Sequence, residues 1–142
     1  MKYLLDTNVV SEFQRPQPDA NVAAWILAQA EEEMCISTIS LAEVRRGIAM
    51  MPDGRRKREL DHWLKAELPQ RFERRVIDVT PAVADQWGET MAGAKRQGVG
   101  LDPMDGFIAA TAKALNLTLA TRNIKDFDRL GIALKNPWLA EG

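Results

Sequence analysis

The chain has 142 residues, with 19 Lys and Arg against 20 Asp and Glu, one His and one Cys. That is the length of one domain with a core of its own, and 46% apolar with 27% charged content excludes a mainly disordered chain. A lone Cys35 and a lone His62 exclude an internal disulfide and a Cys/His zinc site, and the longest uncharged apolar-rich run, Met34 to Ala42, is too short to span a bilayer.

In chain order, Lys2 to Leu5 is a short apolar run ending in Asp6 and reads as a buried strand. Asp6 falls where a signal peptide needs its apolar stretch, so a reduced, cytoplasmic protein is expected. Asp19 to Ala30 reads as a helix with Asp19 as N-cap and Val22, Trp25 and Ile26 towards the core. Met34 to Ser37 is a second strand, Ser40 to Met50 a helix, and Pro52-Asp53-Gly54 a turn. A long helix follows to about Leu68, with Leu60, Leu64 and Leu68 four residues apart and Pro69 marking its end. Val76 to Val79 is a third strand. Thr80-Pro81 opens a helix carrying Val83, Trp87 and Met91, which Gly98 and Gly100 stop. Asp102-Pro103 opens another, with Met104, Ile108, Ala112 and Leu115 on one face. Leu117 to Ala120 is a fourth strand and Ile132 to Leu134 a fifth.

Strands alternating with helices predict an α/β domain with a largely parallel sheet covered on both faces, in which ligands bind beyond the carboxyl ends of the strands. Several polar groups fall near those ends. Asp6 closes the first strand. Glu43 lies in the first turn after the second, Asp105 in the first turn of the helix before the fourth, and Asn123 and Asp126 follow the fourth. Each also has a local role open to it. Ser40 and Glu43 form an S-x-x-E capping box, Asp102 is an N-cap that places Asp105 near a helix N-terminus, and Asn123 to Asp126 is a short cap sequence. Asp6 has no such role unless a helix starts immediately after it. Brought together, the carboxylates repel one another, and a hard divalent cation relieves that conflict. Such an ion makes water more acidic and stabilises charge on a phosphoryl oxygen, which points to phosphodiester hydrolysis.

The net charge of −1 conceals a basic block, since residues 45–75 hold ten basic and five acidic groups. Arg45, Arg46, Arg55, Arg56, Lys57, Arg58, Arg71, Arg74 and Arg75 face either a polyanion or solvent. His62 reads as a surface residue and Cys35 as core packing. Helical spacing assigns Trp25 and Trp87 to packing, and Trp63 and Trp138 are expected at interfaces rather than against bases.

Four ordered segments carry a resemblance: Leu4-Leu5-Asp6-Thr7-Asn8-Val9-Val10-Ser11-Glu12, Ser37 through Gly47, Asp105-Gly106-Phe107-Ile108-Ala109-Ala110-Thr111-Ala112, and Ala120-Thr121-Arg122-Asn123 with Asp126-Phe127. With the ending Asn136-Pro137-Trp138, the sequence resembles PIN-domain ribonucleases, in particular the VapC/FitB-like toxins of bacterial toxin–antitoxin pairs. The resemblance spans essentially the whole chain, 1–142, as a single PIN domain, an α/β/α sandwich. It implies an endoribonuclease dependent on Mg²⁺ or Mn²⁺, inhibited by a cognate antitoxin, that hydrolyses RNA through a metal-activated water and leaves a 5′-phosphate and a 3′-hydroxyl. By motif position Asp6, Glu43 and Asp105 match the metal-binding acids, and Asn8 and Thr121 the supporting polar residues. The fourth acidic position is Asn123, a departure: an amide adds no charge, and either a fourth acid is unnecessary or Asp126 or Asp102 takes its place. Arg45, Arg46 and Arg122 are candidates to hold the RNA backbone, or a carboxylate awaiting substrate. A homodimer is implied, and contact with operator DNA through the antitoxin.

Two other functions follow from the same residues. A phosphohydrolase with Asp6 as nucleophile wants a second acid two residues on, where Asn8 stands. A non-catalytic partner in an antitoxin-dependent operon regulator would keep the acids without using them.

Overall fold

The computed structural model describes residues 1–140. Five short apolar runs form one sheet: β1 (Tyr3–Leu5), β2 (Met34–Ser37), β3 (Val76–Ile77), β4 (Thr118–Ala120) and β5 (Leu134–Lys135). Their order is β3-β2-β1-β4-β5 and every pairing is parallel. β1 lies at the centre, with Leu4 opposite Cys35 on one side and Leu119 on the other. The chain winds outward from β1 to β3, then crosses back to β4. The winding therefore reverses between β1 and β4, and a crevice opens there beyond the strand ends.

Alternate residues of β1 point to opposite faces. Leu5 packs with Val9, Val22, Trp25, Ile36, Leu64, Leu68 and Phe72. Leu4 packs on the other face with Cys35, Ile108, Ala109, Leu119 and Phe127. Nearly every side chain of these two clusters is buried, and burial at about 25 cal/mol per Å² of apolar surface is the main term holding both helical layers to the sheet.

The helices are α1 (Thr7–Glu12), α2 (Ala20–Ala28), α3 (Thr38–Ala49), α4 (Arg55–His62), α5 (Leu68–Phe72), α6 (Pro81–Arg96), α7 (Pro103–Ala114) and α8 (Ile124–Phe127). Asp19, Thr80 and Asp102 cap α2, α6 and α7 through side-chain hydrogen bonds, as their sequence positions predict.

Several expectations are corrected. A helix does start directly after Asp6, so the acid has a capping role: its Oδ1 accepts from the Thr7 amide. α3 begins at Thr38, because Ser37 rather than Ser40 is its N-cap, accepting from the Ile39 amide at 3.0 Å. Ser40 and Glu43 therefore form no capping box. Pro69 does not end the long helix. A π-helical stretch, Trp63–Glu67, joins α4 to α5, and the Leu68 amide reaches back five residues to the Trp63 carbonyl. Pro69 then sits in the first turn of α5, where a missing amide hydrogen is tolerated. Trp63 is buried in the core rather than offered to an interface. The third and fifth strands are shorter or later than the runs Val76 to Val79 and Ile132 to Leu134.

Candidate active site

Asp6 follows β1 and Thr121 follows β4, on the two sides of the crevice. Both are buried. The Thr121 hydroxyl donates to Asp6 Oδ2 at 2.8 Å, and the Thr7 amide donates to Asp6 Oδ1 at 2.8 Å. Each Asp6 oxygen thus has one donor and keeps a lone pair. Thr121 Oγ1 in turn accepts from the Asn123 amide at 3.0 Å, which fixes its rotamer. Burial pushes the Asp6 pKa up from its usual 3.8; the Thr121 and Thr7 hydrogen bonds oppose that, and the charges of Glu43 and Asp126 add to it.

Glu43, half-buried on α3, is held by Thr7, whose hydroxyl donates to its Oε1 at 2.8 Å. Thr7 Oγ1 also lies 3.0 Å from Ser40 Oγ. Thr7 has one proton to give and a carboxylate only accepts, so Ser40 donates to Thr7 and Thr7 to Glu43. This relay ties α1 to α3. Thr7 and Ser40 were not singled out as site residues from sequence. The available signal was a hydroxyl in the first helical position directly after a strand-ending acid.

Asp105 sits in the first turn of α7, half-buried, behind the Asp102 cap, whose Oδ1 accepts from the Met104 and Asp105 amides at 2.8 and 3.3 Å. Burial raises the Asp105 pKa to about 6, reinforced by the charges of Asp6, Asp102, Glu43 and Asp126. Asp126 is exposed on α8. Asn123 precedes α8, exposed, and its side chain makes no cap hydrogen bond. Asn8 Oδ1 accepts from the Arg122 amide at 3.4 Å, which bridges α1 to the loop after β4.

Two of the three cations named from sequence have other partners. Arg45 pairs with Asp61 at 2.8 Å, Arg46 is exposed in the last turn of α3, and Arg122 lies over the Trp138 ring at 5.3 Å. Most of the basic block is internally paired: Arg55 and Arg56 with Glu59, Lys57 with Asp53, Lys65 with Asp61, and Arg71 and Arg75 with Glu31. Cys35 is buried with its pKa pushed up to about 11, so it is an inert core thiol.

Among the described residues, no three His, Cys, Asp or Glu side chains are close enough together to hold a metal ion as they stand. Glu43 is drawn towards Thr7, and repulsion keeps uncompensated carboxylates apart. The donor chemistry still fits a hard divalent cation. All of these groups are oxygen donors, and the acids raise one another's pKa, which a cation would reverse.

The PIN domain family matches residues 3–133. The chain belongs to the PIN domain family. Within it, this PIN domain is 42% identical to the plasmid stability protein StbB of Pseudomonas syringae pv. tomato, over 96% of this chain and 99% of that one. It is 38% identical to the VapC ribonuclease Y4jK of Sinorhizobium fredii, over 95% and 96% of the two chains. Among solved structures it resembles FitAB bound to an IR36 DNA fragment, with a TM-score of 0.90 and 36% identity over 99% of this chain and 98% of that one. The all-parallel sheet flanked by helices is thus the fold of the FitAB structure. Among the described residues, no helix is long and apolar enough to cross a membrane.

Proposed function

We propose that this PIN domain, read as one unit over 1–142, is the toxin of a type II toxin–antitoxin pair and a divalent-metal-dependent endoribonuclease. The observation that carries this reading is the group of mutually repelling acids at the β1/β4 crevice: Asp6 and Asp105, both shifted up and both feeling the Glu43 charge. The ribonuclease relative supports the substrate class.

Asp6, Asp105 and Glu43 would hold Mg²⁺ or Mn²⁺, with Asn123, Asp126 or Asp102 available to complete the set. When bound, the ion supplies stabilisation of charge on the phosphoryl oxygen and a more acidic water. The chain's own residues do the rest. Thr121 and the Thr7 amide fix the Asp6 carboxylate so that its remaining lone pairs point into the crevice in one orientation. Thr7 orients the Glu43 carboxylate by donating to its Oε1. Asp105, whose pKa is pushed up to about 6 by burial and its acidic neighbours, is an acid whose ionised form a bound cation would restore. Asn8 sets the loop that carries Arg122, the cation of the three named from sequence that stands nearest this crevice along the chain. A cognate antitoxin would hold the enzyme inactive, and the chain is expected to pair as a homodimer.

The test is cleavage of total RNA by purified, antitoxin-free protein in Mg²⁺, Mn²⁺ or EDTA, with Asp6→Asn prepared alongside. Discrete cuts that require metal and vanish in the variant are the expected result. Metal-independent cleavage, or equal cleavage by the variant, would reject the assigned site.

A second reading, a DNA-binding operon regulator formed with the antitoxin, is favoured by one observation: FitAB was solved on a DNA fragment. Gel shift of the upstream operator by the chain alone and with its antitoxin separates the two contributions. The two roles are compatible.

A further inference from the structure

The basic block at 45–75 looks like a nucleic-acid surface in sequence, and seven of its ten cations are held in ion pairs within the chain. Positive charge without ion pairs also gathers at a second place. Arg96 at the end of α6, Lys113 near the end of α7 and Arg129 just after α8 line one cavity of about 420 Å³. All three are exposed, and none makes an ion pair among the described residues. The single acid in the lining is Glu89, which leaves a net charge of two positive units there. Three different helices supply these cations, so their meeting is a product of the fold and invisible in any sequence window.

The lining has a second feature. Thr90 contributes to it, and the Thr90 hydroxyl is buried with no hydrogen-bond partner among the described residues. An unpaired buried hydroxyl is costly, so the α6 wall of the cavity carries an unmet donor. Two guanidinium groups and an ammonium are the donors that recognise phosphate, the guanidiniums in bidentate fashion.

The cavity stands in a fixed relation to the crevice, because α7 contributes to both. Asp105 lies in its first turn and Lys113 eight residues later, about 12 Å along the helix axis. That span suits a strand whose scissile phosphate lies at the acids while a phosphate a few nucleotides away is held by the cations. We propose that the Arg96–Lys113–Arg129 cavity is a second phosphate site, which grips the backbone of the RNA substrate away from the bond that is cut. This rests on the ribonuclease reading above for the identity of the polyanion, and on the cavity alone for the phosphate chemistry.

The experiment measures binding of a short single-stranded RNA by fluorescence anisotropy across a salt series. It compares the wild-type chain with the triple variant Arg96→Gln, Lys113→Gln, Arg129→Gln. All three side chains are exposed, and an unchanged melting temperature checks that the variant is folded. Loss of two or three phosphate contacts should flatten the slope of log K against log salt by about 1.4 to 2.1. With cleavable RNA, KM should rise several-fold while kcat is kept. Equal affinity and equal slope in the two proteins would overturn the exosite while leaving the ribonuclease assignment standing. No RNA binding by the wild type would reject both. Inorganic phosphate is the remaining arm. If it binds the wild type but not the variant, and RNA affinity is the same in both, the cavity serves a free anion and the RNA proposal is wrong.

Discussion

The Thr121 hydroxyl donates to Asp6 Oδ2 at 2.8 Å across 115 residues of sequence, in a fully buried setting. This bond joins the ends of the two strands between which the sheet reverses its winding, so the crevice and the acid within it are built by one contact. Thr121→Val should cost about 1–3 kcal/mol of stability, because a buried acceptor is left without its donor. Thr121→Ser should recover most of it. Urea denaturation of the three proteins checks this, and a Val variant as stable as wild type would contradict it.

Asp6→Asn should abolish metal-dependent cleavage while leaving the fold as stable at pH 7, or more so. The folded pKa of Asp6 is raised, so its ionised form opposes folding. The amide oxygen can still accept from the Thr7 amide, while the amide NH2 takes the other position and donates to the Thr121 hydroxyl oxygen. The gain over wild type should shrink as pH falls and Asp6 becomes protonated. Paired melting curves at neutral and acid pH provide the measurement.

Asp105 gives the pH dependence a window. Its folded pKa is about 6 against an ordinary 3.8, so its contribution to stability is present below about pH 3.8 and is lost as pH rises to about 6. Asp105→Asn should therefore remove part of the decline between those values, measured in EDTA. Adding Mg²⁺ to wild type at pH 7 should recover stability, since a cation bound to the ionised form reverses the sign. An Asp105→Asn curve superimposable on wild type in EDTA would count against the repulsive cluster.

Thr7→Val removes the donor to Glu43 and the link to Ser40. Metal affinity or activity should fall about 10–100-fold, as for other residues that orient a ligand from behind. The expected loss of stability is only about 1 kcal/mol. Thr7→Ser should keep both properties. Isothermal titration with Mn²⁺, followed by RNA cleavage, distinguishes loss of orientation from loss of fold.

Gly106→Ala tests the packing under Asp105. A Cβ there would come within 2.5 Å of Met91 Sδ and 3.1 Å of Trp87 Nε1. Met91 is flexible, but Trp87 is stacked on Phe107 at 4.8 Å and donates to the Pro103 carbonyl at 3.0 Å. Overpacking should cost about 1–3 kcal/mol. The shift of α7 against α6 should lower cleavage as well, read by melting temperature and activity together.

Caps and prolines made α2, α6 and α7 legible in sequence, because Asp19, Thr80-Pro81 and Asp102-Pro103 act on amides within three residues. α1 was missed because it has six residues and its N-cap is itself the site acid. The S-x-x-E spacing at Ser40 and Glu43 pointed to a local box, whereas the partner that holds Glu43 is Thr7, 36 residues away. No local pattern reports such a bond. For the same reason, the Arg45–Asp61 and Arg71–Glu31 pairs were hidden inside what read as a uniformly basic block. The acids at the crevice were found because each lies next to a strand end or in a helix's first turn. Their mutual electrostatics required the fold.

The π-helical stretch at Trp63–Glu67 has a consequence for chain length. Leu60, Leu64, Leu68 and Phe72 are spaced four apart and all buried, a period longer than the 3.6 of an α-helix. In an unbroken α-helix that row would drift round the surface by about 40° per step. The wider turn absorbs one surplus residue and keeps the row facing the sheet. Deleting a single residue from 65–67 would close the bulge into ordinary helix and leave everything before it in place. The residues after it, Leu68 and Phe72 among them, would keep their facing as well, because the residue removed is the surplus one that the wide turn absorbs. The segment thus accommodates one extra residue without moving either flank of the helix.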